Sequence, residues 1–148
     1  EQVLEQARRR FDAKKLELSS GEVPAEPSAG TVLMYLSGQW YALTLSSSES
    51  ASGVADRLDS AVLQREFLEP VLGIEDVRSD SRIDFVGGIR GVKELVERVD
   101  SGRDVIAFAM AATTLDDLLA VSDADEIMPP KSTWFEPKLR DGLLIHTI

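Results

Sequence analysis

Two short apolar runs near the middle of the chain carry its clearest local pattern. Thr31–Leu36 (TVLMYL) and Gln39–Leu45 (QWYALTL) are rich in β-branched and aromatic residues, and only Ser37-Gly38 separates them. A two-residue connection that contains glycine is typical of a hairpin, because such a tight turn needs backbone conformations with positive φ. The pattern therefore predicts a β-hairpin whose aromatic side chains pack in a sheet.

Apolar residues at three- and four-residue spacing predict four helices. These helices run from Glu1 to about Phe11, from Asp59 to Gly73, from Val92 to Val99 and from Leu115 to Val121. We expect the Asp59 carboxylate to cap the second helix and Gly73 to end it. Pro70 is expected to kink or stop its last turn. Thr113 and Thr114 both suit the N-cap of the fourth helix, since two aspartates follow in its first turn.

Three further runs predict strands. Arg82–Val86 (RIDFV) alternates, Asp104–Met110 (DVIAFAM) is typical of a strand buried on both faces, and Leu143–Ile148 (LLIHTI) is a final strand. Residues 19–30, 46–53 and 126–139 are predicted loops, the last an extended and stiff one. The element order predicts an α+β (mixed α/β) fold, with one sheet of about five strands, including a β-hairpin, covered by three to four helices.

The composition of the chain narrows its chemistry. Its 148 residues, 43% hydrophobic and 28% charged, fit one ordinary globular domain. The absence of cysteine and the single histidine, His146, exclude disulfides, thiol catalysis and both zinc-cysteine and multi-histidine metal sites. The sequence contains no run of about 18 apolar residues, so it predicts no membrane span. We expect a cytoplasmic protein with no metal site and no catalytic residues in this chain, and the absence of cysteine is compatible with a bacterial cytoplasm.

Charge is distributed unevenly along the sequence. With 16 Lys+Arg against 26 Asp+Glu, the net charge of -10 repels phosphate over most of the surface, so nucleic acid is not an expected partner. Residues 113–126 hold five acids and no base, whereas residues 129–140 hold three bases and one acid. This basic segment could hold a small anionic ligand. The alternative is that it forms an ordinary solvated face.

The segment Met128–Leu139 contains the first candidate binding residues. Lys131, Ser132 and Thr133 offer an ammonium group and two hydroxyls, and Lys138 adds a second positive charge. Three prolines restrict the backbone between them, so these side chains lose little further entropy when they bind phosphate or carboxylate. Two alternatives stay open, namely a rigid crossover loop with its lysines in solvent, and a surface ion pair between Lys131 and Asp123, Asp125 or Glu126.

A second candidate lies at Gly87 and Gly88. These glycines follow the predicted Arg82–Val86 strand and precede a predicted helix. Such a turn can bring backbone N–H groups and a helix N-terminus close to an anion. The alternative is a purely structural turn between strand and helix.

The C-terminal stretch MPPKSTWFEPKLRDGLLIH (residues 128–146) resembles the C-terminal signature of a bacterial and archaeal family catalogued as domain of unknown function 1015. Residues 34–45, 58–74 and 82–88 resemble the same family in the same order. Full-length members carry an N-terminal domain similar to the ParB/sulfiredoxin superfamily, with an Asp-Gly-His-His-Arg-Tyr motif. That motif is not in this chain, which has a single histidine.

The resemblance implies that the chain is the C-terminal part of a larger protein. Residues 1–18 are then an N-terminal connector helix and residues 30–148 a single α+β domain. The implied function is that of an accessory domain of a ParB-like protein that handles a nucleotide or a phosphate ligand, as a free-serine kinase of that superfamily does. The implied partner is the N-terminal domain of the same protein, with ATP or ADP as the cofactor of the full-length protein only.

Two other functions stay open. The chain could be a structural or partner-binding module with no ligand of its own, or a DNA-partition-type module, which its acidity disfavours most. We expect this chain alone to be inactive, because its sequence offers no nucleophile–base pair and no phosphate loop.

Overall fold

The computed structural model describes residues 2–19, 21–45 and 51–133, without the side chain of Ile89. Its regular elements are α1 (Gln2–Arg10), β1 (Asp12–Lys15), β2 (Thr31–Leu36), β3 (Gln39–Thr44), α2 (Asp59–Leu63), α3 (Glu69–Leu72), α4 (Gly91–Asp100), β4 (Ile106–Met110) and α5 (Leu115–Asp123). A π-helical turn, Gln64–Leu68, joins α2 to α3, and short 3-10 turns lie at Ala55–Arg57 and Gly88–Arg90. The predicted α+β class is confirmed.

The four strands form one antiparallel sheet in the order β1-β3-β2-β4. The predicted hairpin lies at its centre, with Leu36 opposite Gln39. Ser37 and Gly38 both have positive φ, 51° and 77°, which is the geometry of the type I′ turn that matches the twist of the strands. The hairpin prediction is confirmed.

The sheet separates two apolar layers. Side chains on one face pack against α1 and the α2–α3 stretch, and their buried members are Ala7, Phe11, Val32, Met34, Tyr41, Leu43, Leu45, Val62, Leu63, Phe67, Leu68 and Ile74. The other face packs against α4 through Leu33, Tyr35, Trp40 and Ala107. Because alternate residues of a strand point to opposite faces, the hairpin supplies both layers at once.

Two predictions, one about a strand and one about the extent of a helix, need correction. Arg82–Val86 is not a strand, because Arg82 donates to the carbonyls of Leu72 and Gly73 at 3.0 and 2.7 Å and holds the segment against the end of α3. The helix predicted over residues 1–18 ends at Arg10, and β1 follows it. The predicted strand Leu143–Ile148 lies outside the described residues.

The strand β4 follows its prediction except at its ends. It begins at Ile106 and lies at an edge of the described sheet, where Ala107 is buried but Met110 is 39% exposed. Ile106 and Phe108 pack against one apolar layer and Ala107 and Ala109 against the other, so both faces of the strand are covered as predicted, although Met110 at its end is exposed.

The helical stretch from Asp59 to Leu72 continues through Pro70 and ends, as predicted, at Gly73 with φ 66°. Pro70 has no amide hydrogen to donate to the carbonyl of Glu66 four residues earlier. That carbonyl accepts instead from the Arg10 guanidinium at 3.2 Å. The π-helical turn and this contact let the helix pass the proline.

Asp59 does not cap its helix as predicted. Leu58 occupies the N-cap, and both carboxylate oxygens of Asp59 accept from the amide of Gly30, at 3.1 and 3.0 Å. Burial raises the pKa of Asp59, although the Gly30 hydrogen bond opposes this effect. The carboxylate is thus used to fix the chain where it enters β2. In α5, by contrast, Thr114 is the predicted N-cap and forms a capping box with Asp117.

Candidate functional site

The segment that contains Lys131, Ser132 and Thr133 begins with a tight turn. The Ser132 hydroxyl and amide both donate to the carbonyl of Pro129, at 2.6 and 3.3 Å. The carbonyl of Ser132 accepts in turn from the hydroxyl of Thr113 at 2.5 Å. These contacts anchor the turn at the entrance to α5, and they commit the hydroxyl hydrogen of Ser132 to the fold.

Lys131 lies at the tip of this turn, exposed and with φ 61°. A positive φ is uncommon for a residue with a side chain, so the turn imposes this conformation. No described carboxylate forms an ion pair with Lys131. Thr133 is exposed as well, and Lys138 lies outside the described residues. An ammonium group and one hydroxyl therefore face solvent here.

The nearby acid Glu126, considered as a partner of Lys131, has another role. Its carboxylate oxygens accept from the backbone amides of Val54 and Ala55 at 3.1 and 2.8 Å. Glu126 thus connects the end of α5 to the 3-10 turn before α2. No local pattern in the sequence predicts this contact, because its partners are 71 and 72 positions apart.

The entrance to α5 is poorly suited to a bound anion. The first turn of the helix carries Asp116 and Asp117. The Asp117 carboxylate already accepts from the amide and the hydroxyl of Thr114, at 2.9 and 2.7 Å. These acids repel an anion placed beside them. The helix N-terminus therefore adds little to the attraction that Lys131 exerts on an anion.

Gly87 and Gly88 do not form an anion cradle with this turn in the described residues. The Gly87 carbonyl accepts from the amide of Arg90 at 3.0 Å, and Gly88 begins the 3-10 turn. A Cβ on Gly88 would meet no atom within 4 Å, so no close approach requires glycine there. Gly91, with φ 67°, is the glycine that the backbone requires. No described contact joins this region to Lys131.

A buried cation was missed by the sequence reasoning. The side chain of Arg98 is only 10% exposed, and it donates to the carboxylates of Asp84, at 2.7 Å, and of Asp104. These hydrogen bonds raise the pKa of Arg98, and they lower the pKa of Asp84. The available signal in the sequence was the position of Arg98, a base three residues after Leu95 and beside the apolar face of α4. The contacts fix the segment before Gly87 against α4 and the approach to β4.

The most exposed large apolar side chains lie mainly around α5. Leu115 and Leu119, one helical turn apart, are 68% and 51% exposed, and Ile127 after the helix is 89% exposed. Val121 anchors the helix and is 1% exposed. We call Leu115, Leu119 and Ile127 the α5 apolar set. Such exposed apolar groups are typical of contact surfaces when they cluster.

No protein-family model, curated protein or solved structure matches this chain. The resemblance of residues 128–146 to domain of unknown function 1015 therefore stays a prediction, together with the activity and cofactors that it implies.

In residues 2–19, 21–45 and 51–133, no group of three or more His, Asp or Glu side chains is placed to hold a metal ion. Over the same ranges, no helix is long and apolar enough to cross a membrane. A pocket of about 540 Å3 lies between α1 and α3, with Glu5, Arg10 and Pro70 in its lining. None of the sequence-predicted site residues that the structure describes lines it.

Proposed function

We propose that this chain is an accessory domain that binds another polypeptide through the α5 apolar set. The observation that carries the proposal is the exposure of Leu115 and Leu119 on one face of α5, followed by Ile127. Burial of a leucine side chain contributes about 1.5–3 kcal/mol, so a partner that covers these residues gains substantial affinity. The chemistry of the described turn at Lys131 supports binding better than catalysis.

Charge indicates what kind of partner fits. Leu115 and Leu119 lie in a stretch, residues 113–126, that contains five acids and no base, and Ile127 follows it directly. A complementary partner would present apolar anchors flanked by lysine or arginine, because opposite charges at the rim steer association. In the family that the sequence resembles, that partner would be the ParB/sulfiredoxin-like domain.

The experiment measures association with such a domain, produced from a member of the resembled family. Leu119→Lys is expected to weaken binding at least about 10-fold, since it loses the apolar contact and buries a charge. Val105→Lys is the matched control, because Val105 is 80% exposed but lies before β4, away from α5. Equal affinity of the two variants, or no association at all, contradicts the proposal.

A second candidate function rests on Lys131, which is exposed and unpaired among the described residues. It is the binding of a phosphate-bearing ligand, with ATP or ADP as the nucleotides implied by the resemblance. Titrations with inorganic phosphate and with ADP, followed by amide NMR shifts, test it. Saturable shifts at residues 131–133 that disappear in Lys131→Ala but persist in Lys93→Ala support it, and their absence removes it. Lys93, an exposed lysine of α4, is the control.

A further inference from the structure

The pocket between α1 and α3 has the size of a small-molecule site. Its volume is about 540 Å3, and sites that hold small organic ligands range over about 300–1,000 Å3. Val3 of α1, with Pro70 and Val71 of α3, forms one part of the lining, which we call the apolar wall. The rest of the lining consists of polar and charged side chains of α1. The pocket therefore combines an apolar surface with hydrogen-bonding groups, as ligand sites do.

The guanidinium of Arg10, which lines the pocket, is oriented by a contact that the proline in α3 makes possible. Pro70 leaves the carbonyl of Glu66 without a helical donor, and Nη1 of Arg10 donates to that carbonyl at 3.2 Å. The Nε–H and Nη2–H groups form another edge of the same planar group, and they make no hydrogen bond among the described residues. An edge of this kind can bind both oxygens of a carboxylate at once.

The charges around the pocket favour a ligand with a single negative charge. No described carboxylate forms an ion pair with Arg10. Glu66 pairs with Arg65 at 3.0 Å, and Glu5, an acid of the lining, pairs with Arg9 at 2.5 Å. The guanidinium of Arg10 therefore attracts an anion, whereas the carboxylate of Glu5 repels the second charge of a phosphate dianion. A monocarboxylate fits this balance better than phosphate does.

We propose that this pocket binds a small organic monocarboxylate that carries an amide and a branched apolar group. The ligand's carboxylate pairs with Nε and Nη2 of Arg10, and its apolar group packs on the apolar wall. Gln2 and Gln6 also line the pocket and lie four residues apart on one face of α1. Their side-chain amides can donate to and accept from the amide of the ligand. The site shares no residue with α5 or with the turn at Lys131.

Titration of the whole chain with N-acetyl-leucine, followed by amide NMR shifts, tests the proposal. This probe has one carboxylate, one amide and a branched apolar side chain, and N-acetyl-leucinamide is its uncharged match. We expect saturable shifts in α1 and at Val71. The uncharged probe should bind at least about 10-fold more weakly, because the charge-assisted hydrogen bonds to Arg10 are lost. Equal affinity of the two probes, equal affinity for inorganic phosphate, or the absence of saturable shifts overturns the proposal. Tighter binding of a pentapeptide that ends in leucine overturns the assignment to a small molecule.

Substitutions in α1 identify the groups that hold the probe. Arg10→Lys keeps the positive charge and a donor for the Glu66 carbonyl but loses the planar edge, so the affinity for N-acetyl-leucine should fall about 10-fold. Arg8→Lys makes the same change at an exposed arginine of α1 outside the lining, and it should leave the affinity unchanged.

Gln6→Ala tests the site without altering any charge or the contact to Glu66. It removes one neutral hydrogen-bonding group, so the affinity should fall about 3–10-fold, and alanine suits the helix. Urea unfolding of each variant shows that the fold is kept. An affinity that neither Arg10→Lys nor Gln6→Ala lowers, or that Arg8→Lys lowers equally, overturns the proposal.

Discussion

Replacing Gly53 by alanine should disrupt the contact between Glu126 and the 3-10 turn before α2. A Cβ at Gly53 would lie 2.6 Å from Oε2 and 2.7 Å from Cδ of Glu126. These separations are well below ordinary contact, so the carboxylate has to move. The backbone of Gly53 is not in the left-handed region, and alanine is therefore unstrained there except for this clash.

The magnitude follows from the hydrogen bonds that the carboxylate loses. Its bonds from Val54 and Ala55 measure 3.1 and 2.8 Å. Bonds to a charged group contribute about 1.5–3 kcal/mol each. Glu126 is only half-buried and water can replace part of them, so we take a joint loss of about 1–2 kcal/mol. Alanine also reduces the entropy of the unfolded chain, and this effect raises the free energy of unfolding by about 0.4–1 kcal/mol.

The assay is a double-mutant cycle measured by urea unfolding. Gly53→Ala should destabilise the native chain, but it should be neutral or stabilising when Glu126→Ala has already removed the carboxylate. The expected coupling free energy equals the lost contacts, about 1–2 kcal/mol. Gly88→Ala serves as the control, because Gly88 has open space around its Cβ position. A coupling below about 0.3 kcal/mol, the usual error of additivity, would refute the reasoning.

Three further predictions test the core, the hairpin and a buried carboxyl. Phe67→Ala should cost about 3–5 kcal/mol in urea unfolding, because the fully buried ring packs against two others, and a loss below about 2 contradicts this packing. Gly38→Ala, at φ 77°, should cost about 1–2 kcal/mol, whereas Gly88→Ala should be near neutral; equal losses would contradict the turn geometry. The raised pKa of Asp59 means that the folded state keeps this proton longer, so its contribution to stability decreases as pH rises above the ordinary carboxyl range. Asp59→Asn should make the urea midpoint fall less steeply as pH rises above the ordinary carboxyl range. Identical pH slopes for the wild type and the variant would contradict this prediction.

Local signals in the sequence were sufficient for the hairpin and for the start of α5. The hairpin needs only Ser37-Gly38 between two β-prone runs, and the capping box needs only Thr114 and Asp117 three residues apart. In both cases the interacting groups are close in sequence, so one window contains the whole interaction.

Predictions failed where a distant partner decided the structure. Arg82 alternates with apolar residues as in a strand, but its guanidinium binds carbonyls at the end of α3. Asp59 suits an N-cap, yet the amide of Gly30 takes its carboxylate. The strand β1 carries no apolar alternation, because an edge strand with charged side chains lacks that pattern.

The candidate site was predicted only in part. The sequence predicted an extended, stiff loop over residues 126–139, whereas the structure describes residues 129–132 as a tight turn with Lys131 exposed. It could not indicate that Ser132 would donate to Pro129, nor that Thr113 would hold the turn beside α5. Those bonds depend on how residues 129–132 return to the end of β4.

The order of the strands has a consequence for how the chain folds. The central hairpin closes a loop of two residues, whereas pairing of Leu33 with Ala109 closes a loop of more than seventy. Loop-closure entropy grows with loop length and long-range pairing slows folding. We therefore expect the hairpin to form early and β4 to dock in the rate-limiting step. Substitutions in β4 should then change the folding rate, while conservative changes in the α5 apolar set leave it unaltered.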